Sequence, residues 1–288
     1  MERVTVNAHA KLNLTLEVTG REGAFHTLDS LAVSLDLCDV VRAVHRPQEG
    51  ASVVMRGMGC EHLPPQENNA VRAAEMFFAA FPQAAGADIA VEKHIPVGGG
   101  LGGSSADAAG VLLALSRLFG VKKEELLPLA RALGSDTAMQ LFSGAFRMQG
   151  RGEQLTPVPG MPKLYFVLIC PEGGVSSAAC FSAFDALGGC GSSGMTERAV
   201  ARFSAGEVEA AAKECQNDLL PAACLLDPAV GEALKAARSL SPLMAGMTGS
   251  GSTVFALFKE REARDRALER IKQGKFTALA AESIQNEE

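Results

Sequence analysis

The run Pro96-Val97-Gly98-Gly99-Gly100-Leu101-Gly102-Gly103-Ser104-Ser105-Ala106-Asp107 constrains this chain more than any other stretch. Five of the six residues from Gly98 to Gly103 are glycine, so the backbone there can take left-handed angles and approach a ligand without a Cβ in the way. Glycine loses more conformational entropy on ordering than any other residue, so this density needs a reason. The residues that follow supply one. Ser104 and Asp107 fit the S-x-x-[DE] capping box. Ala108, Val111, Leu112, Leu115 and Phe119 then fall at helical spacing, stopped by Gly120. A glycine loop that opens onto a helix N-terminus offers orphan N–H groups and the positive end of a dipole to an anion. It reads as a phosphate cradle; the bland alternative is a tight turn.

Three phosphate-loop patterns compete for this run. Walker A needs Lys-Ser/Thr after its last glycine, and no lysine lies between Lys93 and Lys122. Gly98, Gly100 and Gly103 spell G-x-G-x-x-G, but a Rossmann unit also needs an acidic residue ending the next strand. About twenty residues on stands Lys122-Lys123-Glu124-Glu125, a helix-like polar stretch. The third pattern, P-x-x-x-G-L-[GA]-x-S-S, is met by Pro96, Gly100, Leu101, Gly102, Ser104 and Ser105. It resembles the phosphate loop of the GHMP kinase superfamily (galactokinase, homoserine kinase, mevalonate kinase and relatives).

Composition excludes other classes. A net charge of −6 with no basic run or aromatic-basic interleave argues against nucleic-acid binding. No apolar run reaches about eighteen residues, and Met1-Glu2-Arg3 lacks a signal-peptide core, so no membrane partner is expected. Seven cysteines, none in a C-x-x-C pair, suggest neither a zinc site nor a disulfide framework. Reduced thiols filling a core, and a cytoplasmic location, follow. With 288 residues, two domains are more in keeping than one.

Along the chain, alternating β-branched residues predict strands over 4–18 and 31–44; Lys11 and Asn13, set among apolar neighbours, are either exposed at an edge or aimed into a site, and the strand alone favours the exposed reading. Asn68 leads an alanine-rich helix over 70–81, and a strand over 89–95 delivers the chain to the glycine loop. Helices are expected over 123–133 and 138–142, then a strand from Gly144. Pro157, Pro159, Gly160 and Pro162 mark the domain boundary, giving domains 1–157 and 158–288. Beyond it come a buried strand over 164–170, helices over 196–203, 207–217 and 228–239, a strand over 253–258 and a helix over 262–273. Gly188 to Gly194 reads as a flexible loop and not as a second cradle, because no helix pattern starts directly after it.

With those elements placed, the resemblance narrows to one branch of the superfamily. That branch phosphorylates 4-diphosphocytidyl-2-C-methyl-D-erythritol in the non-mevalonate isoprenoid route. Its residues arrive in order: Ala10 to Leu14, Gly20 to His26, Asn68 with Arg72, Lys93 to Pro96, and Gly134-Ser135-Asp136. Gly150-Arg151-Gly152-Glu153, Phe181 with Asp185, Asn217-Asp218-Leu219 and Gly249 to Phe255 complete the set. Some positions depart from the usual pattern. The serine pair is displaced by one, so that Ala106 stands where a serine is expected, and two usual tyrosines are Phe25 and Phe181. Each phenylalanine keeps a stacking face and lacks the hydroxyl.

The resemblance implies a fold and a set of roles. The fold is α+β in two parts, an N-terminal domain like ribosomal protein S5 domain 2 and a ferredoxin-like C-terminal domain, with the active site in the cleft between them. Lys11 and Asp136 are the implied catalytic pair, Asp136 as base and Lys11 as its orienter. ATP is bound by Pro96, Gly98, Gly99, Gly100, Leu101, Gly102, Gly103, Ser104 and Ser105, with Asn68 and Lys93 on the adenine side. Asn13, Phe25, His26 and Phe181 hold the cytidylyl-linked polyol, and Gly249, Ser250 and Gly251 form a second glycine motif. Mg²⁺ enters with ATP, with no metal ligand assigned. The oligomer is a monomer or homodimer. The bland readings are a helix N-cap for Asp136 and for Asn68, a solvated strand end for Lys93, core packing for the phenylalanines and a tight turn for Gly249 to Gly251. Two rival functions stay open: a kinase of another small alcohol, such as homoserine, mevalonate or a sugar, and a nucleotide-binding sensor without catalysis.

Overall fold

A computed structural model describes residues 3–60, 68–189 and 193–285. The elements are β1 (Arg3–Asn13), β2 (Glu17–Glu22), β3 (Phe25–Arg46), β4 (Gly50–Gly57), α1 (Asn69–Ala80), β5 (Gly86–Lys93), α2 (Gly103–Phe119), α3 (Leu127–Leu133), α4 (Ser135–Phe142), β6 (Ala145–Gly150) and β7 (Gln154–Pro157). After these come β8 (Tyr165–Cys170), α5 (Ser177–Ala186), α6 (Met195–Ser204), α7 (Val208–Glu214), α8 (Leu220–Leu226), α9 (Pro228–Ser239), β9 (Met244–Met247), β10 (Val254–Phe258), α10 (Arg261–Ile271) and β11 (Thr277–Glu282). Two compact units result. One comprises residues 1–10, 37–97 and 102–142; the other comprises 11–36, 98–101 and 143–288.

In the first unit, the Leu37–Arg46 part of β3 runs antiparallel to β5, from Val40 opposite Glu92 to Arg46 opposite Gly86, and β4 runs parallel on the outer side of β5. Helices α1, α2, α3 and α4 pack on one another. The glycine loop's helix is seated closely. A Cβ at Gly110, in the middle of α2, would come within 2.7 Å of Val41 and 2.8 Å of Ala8. Mid-helix glycine costs about 1 kcal/mol relative to alanine, and this contact distance explains why it is kept.

In the second unit, the Phe25–Asp36 part of β3 pairs with β2 and with β6, which in turn pairs with β7. A separate antiparallel sheet has the order β11-β8-β10-β9. The succession strand-helices-strand-strand-helix-strand in that order is the ferredoxin-like arrangement. β8 and β10 occupy its centre, which is why Tyr165-Phe-Val-Leu-Ile-Cys170 and Val254-Phe-Ala-Leu-Phe258 are apolar without alternation. Their side chains pack with α8, α9 and α10 around Val167, Ile169, Ala223, Val230 and Leu268. The fold is α+β.

Several boundaries differ from the periodicity. α7 ends at Glu214, not Asn217, because the bridge from Leu16 to Asn217 draws that segment into a strand-like path. α6 starts at Met195 with Gly194 at its cap position, so a helix does follow the Gly188–Gly194 loop, whose residues 190–192 lie outside the described ones. Helices α5 and α8 and strands β4, β9 and β11 carry too weak a period to be read from sequence. Among the described residues, six cysteines are free thiols, and no helix is long and apolar enough to cross a membrane.

Candidate functional site

Lys11 and Asn13 stand at the end of β1, and both are buried. Lys11 Nζ donates to Asn13 Oδ1 at 2.6 Å. The same oxygen accepts from Gly249 N at 3.1 Å, while Asn13 N donates to Thr248 Oγ1 at 3.0 Å. Asn13 Nδ2 donates to Ser30 Oγ at 2.8 Å. Every polar atom of the Asn13 side chain is thereby used inside the protein.

The glycine segment 98–101 is fixed against the same group. Lys11 N donates to Leu101 O, Thr253 N to Gly99 O and Thr248 Oγ1 to Gly100 O, at 3.0, 3.1 and 3.2 Å. Gly100 has φ +77°, and a Cβ there would stand 2.3 Å from Thr248 O. Glycine is required at this point for both reasons. Gly249, Ser250 and Gly251 form the turn from β9 to β10, closed by Thr248 N to Thr253 O, and Ser250 Oγ lies 2.9 Å from Ser177 Oγ. They are thus a tight turn, and that turn is seated on Gly100 and Asn13. Asn217 holds it from behind, donating to Met247 O and Gly249 O at 2.8 and 2.9 Å.

In the first unit, Gly102 (φ +71°) is the cap position of α2, and no side chain caps the helix. The capping-box expectation is corrected here. Ser104 lies inside the first turn and accepts from Asn69 Nδ2 at 3.0 Å, and Asp107 is turned away, 2.6 Å from Lys93 Nζ. Helix α2 therefore begins with uncapped N–H groups, as an anion site requires. Gln140 Nε2 fixes the loop's end by donating to Gly102 O at 3.1 Å and to His9 O at 2.9 Å.

Lys93 is not at a solvated strand end. Its side chain is 2% exposed and lies between the carboxylates of Asp39 and Asp107. Asp39 also accepts from the amides of His94 and Ile95. Burial, and the second carboxylate nearby, push the Asp107 carboxyl up to about 7 against the pull of Lys93. Asp39 was not visible as a partner from sequence, because its mate is 54 residues away.

Asn68 caps α1, its Oδ1 accepting from Ala70 N at 2.9 Å. Asp136 lies within the first turn of α4, not at its cap, so the N-cap reading of this carboxylate does not hold. The start of α4 adjoins the loop: a Cβ at Gly134 would stand 3.7 Å from Ser105 Oγ.

A second cluster forms around His26 in the second unit. Its ring stacks on Phe181 with centroids 4.6 Å apart and planes 20° off parallel. His26 Nε2 lies 2.8 Å from Asp185 Oδ1, and Arg21 donates to Asp185 Oδ2 at 2.9 Å. Phe25 does not join this stack. Its ring is 56% exposed and has the Arg151 guanidinium 4.3 Å from its centroid.

This arrangement has known counterparts. A family model for the N-terminal domain of GHMP kinases matches residues 68–144, and one for their C-terminal domain matches 196–276. A 4-diphosphocytidyl-2-C-methyl-D-erythritol kinase of Cupriavidus metallidurans is 38% identical over 274 residues, covering 92% of this chain and 87% of that one. One of the same name from Paracoccus denitrificans is 39% identical over 268 residues, covering 92% and 90%. A crystal structure of 4-(cytidine 5'-diphospho)-2C-methyl-D-erythritol kinase superposes with a TM-score of 0.78 at 31% identity, covering 98% of this chain and all of the other. A homoserine kinase from Cytophaga hutchinsonii gives the same TM-score at 20% identity, covering 99% and 96%. The two family models place the chain in the GHMP kinase class, and sequence identity separates its branches. The chain belongs to the 4-diphosphocytidyl-2-C-methyl-D-erythritol kinase family of the GHMP kinases. ATP is the co-substrate of such a kinase.

Proposed function

We propose that this chain transfers the γ-phosphoryl group of ATP to the 2-hydroxyl of 4-diphosphocytidyl-2-C-methyl-D-erythritol. The observation that carries the reading is the uncapped N-terminus of α2 behind a loop whose glycines at 98, 100 and 102 hold φ between +71° and +77°. Amides from Gly98 to Ser105 bind the triphosphate, doing by backbone what a Walker lysine does by charge.

Phosphoryl transfer then needs positioning, charge stabilisation and an acceptor for the hydroxyl proton. Asp136 takes the proton, and Lys11 is its partner in the catalytic pair. The support for both roles is the match of these residues to the family's pattern. Proton acceptance of this kind contributes about 10²–10⁴-fold. Asn13 serves as the holder of Lys11 and of the Gly249 turn, since its own polar atoms are taken. Lys93 serves to hold the first turns of α2 through Asp107, since its ammonium is enclosed by two carboxylates. His26 and Phe181 receive the cytosine.

Mg²⁺ would enter with the nucleotide and would offset the charge on its phosphates. Among the described residues, no group of three or more His, Cys, Asp and Glu side chains is placed to hold a metal ion, and Asp107 is committed to Lys93.

The test is ADP release from ATP with the cytidylyl substrate, homoserine, mevalonate and galactose offered in turn. Turnover confined to the cytidylyl substrate is expected. Turnover with another acceptor would discard the substrate, and silence with all four would favour a nucleotide sensor. Asp136→Asn is expected to lose at least about 10²-fold in kcat with ATP binding intact; a near-normal rate would remove Asp136 as the base.

A further inference from the structure

We propose that the second unit carries a further ligand site, a pocket behind the Thr248–Gly251 turn. It takes a small apolar molecule bearing one anionic group, a carboxylate or a phosphate, and filling it tightens nucleotide binding. The tightening, though not the site, rests on the reading of the glycine loop as the nucleotide's phosphate cradle.

The pocket has a volume of about 290 Å³, and all its lining residues belong to the second unit. Leu14, Leu220, Pro221, Met244 and Met247 give it an apolar wall, in which the two methionines can adapt to a ligand's shape. Cys215 adds no reactivity there, because burial and the neighbouring Glu214 push its thiol up to about 12. β9, which forms one wall, is the outer strand of its sheet. Thr248 N donates to Thr253 O, and hydrogen-bonded pairs alternate along an antiparallel ladder. Gly246, opposite Phe255, is therefore bonded to β10, and Ala245 turns its N–H and C=O to the free edge.

Charge selects the ligand. Arg238, in the last turn of α9, is the one charged residue of the lining. Among the described residues its guanidinium makes no hydrogen bond and no ion pair. A guanidinium's fork of donors matches the oxygens of a carboxylate or a phosphate. An apolar wall beside it suits a molecule with one anionic end, and the volume lies at the small end of ligand sites.

Asn217 joins this pocket to the glycine loop. It lines the pocket, and its Nδ2 donates to Met247 O and Gly249 O at 2.8 and 2.9 Å. Its Oδ1 accepts from Leu219 N at 2.9 Å, so the amide cannot turn over without losing all three bonds. Gly249 N reaches Asn13 and Thr248 Oγ1 reaches Gly100 O, so the turn that Asn217 supports is also the seat of the loop. A ligand that fits beside Asn217 and Met247 in this arrangement favours the seated loop. What binds one state better shifts the population toward it, and the linkage is reciprocal.

The experiment titrates the whole chain, labelled with ¹³C at its methionine methyls, with hexanoate, hexyl phosphate and hexanol. At least one anion is expected to shift the Met244 and Met247 methyls saturably, with hexanol binding at least about tenfold more weakly. Arg238→Met should weaken the anion at least about tenfold. A response to one anion alone assigns the site to carboxylates or to phosphates. With the anion at saturation, the Kd of a fluorescent ATP analogue should fall about fivefold or more. Three outcomes would each overturn the site: no methyl shift with either anion, equal shifts with hexanol, or full affinity in Arg238→Met. A rise in the nucleotide's Kd without shifts at these two methyls would place the anion in the cradle and overturn it as well. Methyl shifts with an unchanged nucleotide Kd would overturn the coupling. A wild-type protein that binds no nucleotide would remove the cradle reading instead, with the methyl shifts still deciding the site.

Discussion

Asn13 Nδ2 donates to Ser30 Oγ at 2.8 Å, and this bond decides which end of the amide faces Lys11. Ser30 Oγ donates its own hydrogen to Thr15 O at 2.5 Å, so toward Asn13 it can only accept. The amide nitrogen must therefore point to Ser30, and Oδ1 is left for Lys11 Nζ and Gly249 N. One hydroxyl thus orients the residue that holds both the ammonium and the second glycine turn.

Removing that hydroxyl should slow chemistry more than binding. In Ser30→Ala the amide is free to turn over, and Lys11 loses a fixed partner. Misplacement of a catalytic group by about 1 Å can cost 10²-fold, so kcat is expected to fall about 10- to 100-fold with KM for ATP within about twofold. Steady-state kinetics check this. A Ser30→Ala enzyme with wild-type kcat would show that Lys11 is held some other way.

A pH signature should come from the buried group under α2. The Asp107 carboxyl is raised by burial from 3.8 to about 7. Between those values the folded protein holds a proton that the unfolded chain has released. This stabilisation is present in full below about pH 4 and is lost as pH rises through 7, by up to about 1.4 kcal/mol per unit. Asp107→Asn should flatten that slope in urea titrations taken from pH 5 to 7. Lys93→Met leaves two carboxylates buried without their cation and should cost about 3–5 kcal/mol. An Asp107→Asn slope equal to wild type would refute the assignment.

Much of this was legible in the chain, and what was not has a common cause. The glycine run, the α2 periodicity and the unalternating strands at 165–170 and 254–258 declare themselves locally, whereas Lys11 reads locally as an exposed edge residue and is buried instead. Ser104 and Asp107 also declared a capping box, and there local pattern misled. Lys93, fourteen residues earlier, claims the carboxylate, and a buried ion pair outweighs an exposed cap. Asp39, Thr248 and Ser30 matter through partners 54, 235 and 17 residues away. No spacing rule reaches that far.

At Gly100 two requirements coincide. Alanine would have to hold φ +77°, which costs about 1–2 kcal/mol. Its Cβ would also stand 2.3 Å from Thr248 O and 2.9 Å from Gly251 O, both backbone atoms with little room to move. Gly100→Ala should therefore push the loop off the Thr248–Gly251 turn, lowering the midpoint of unfolding and weakening ATP binding at least about tenfold. Fluorescent-nucleotide titration measures the second effect. Wild-type affinity in this variant would mean that the loop binds the nucleotide without being seated on the turn.

Glu17 makes the clearest stability prediction, because its charge does a helix cap's work from a distant strand. Its side chain is fully buried. Burial alone would raise its pKa, but Thr196 N, Ser193 N and Ser193 Oγ all donate to it and bring it down to about 2. One of these donors, Thr196 N, is a backbone N–H in the first turn of α6, whose cap position is Gly194 with no side-chain cap; Ser193 N lies just before that cap. The folded pKa lies below the ordinary 4.5, so this stabilisation is present above about pH 4.5 and is lost as pH falls toward 2. Glu17→Gln should cost about 2 kcal/mol at pH 7, since the amide keeps part of the hydrogen bonding, and less at pH 3. Guanidinium unfolding at both values measures the difference. An equal cost at the two pH values would show that packing, and not the carboxylate's charge, holds α6 in place.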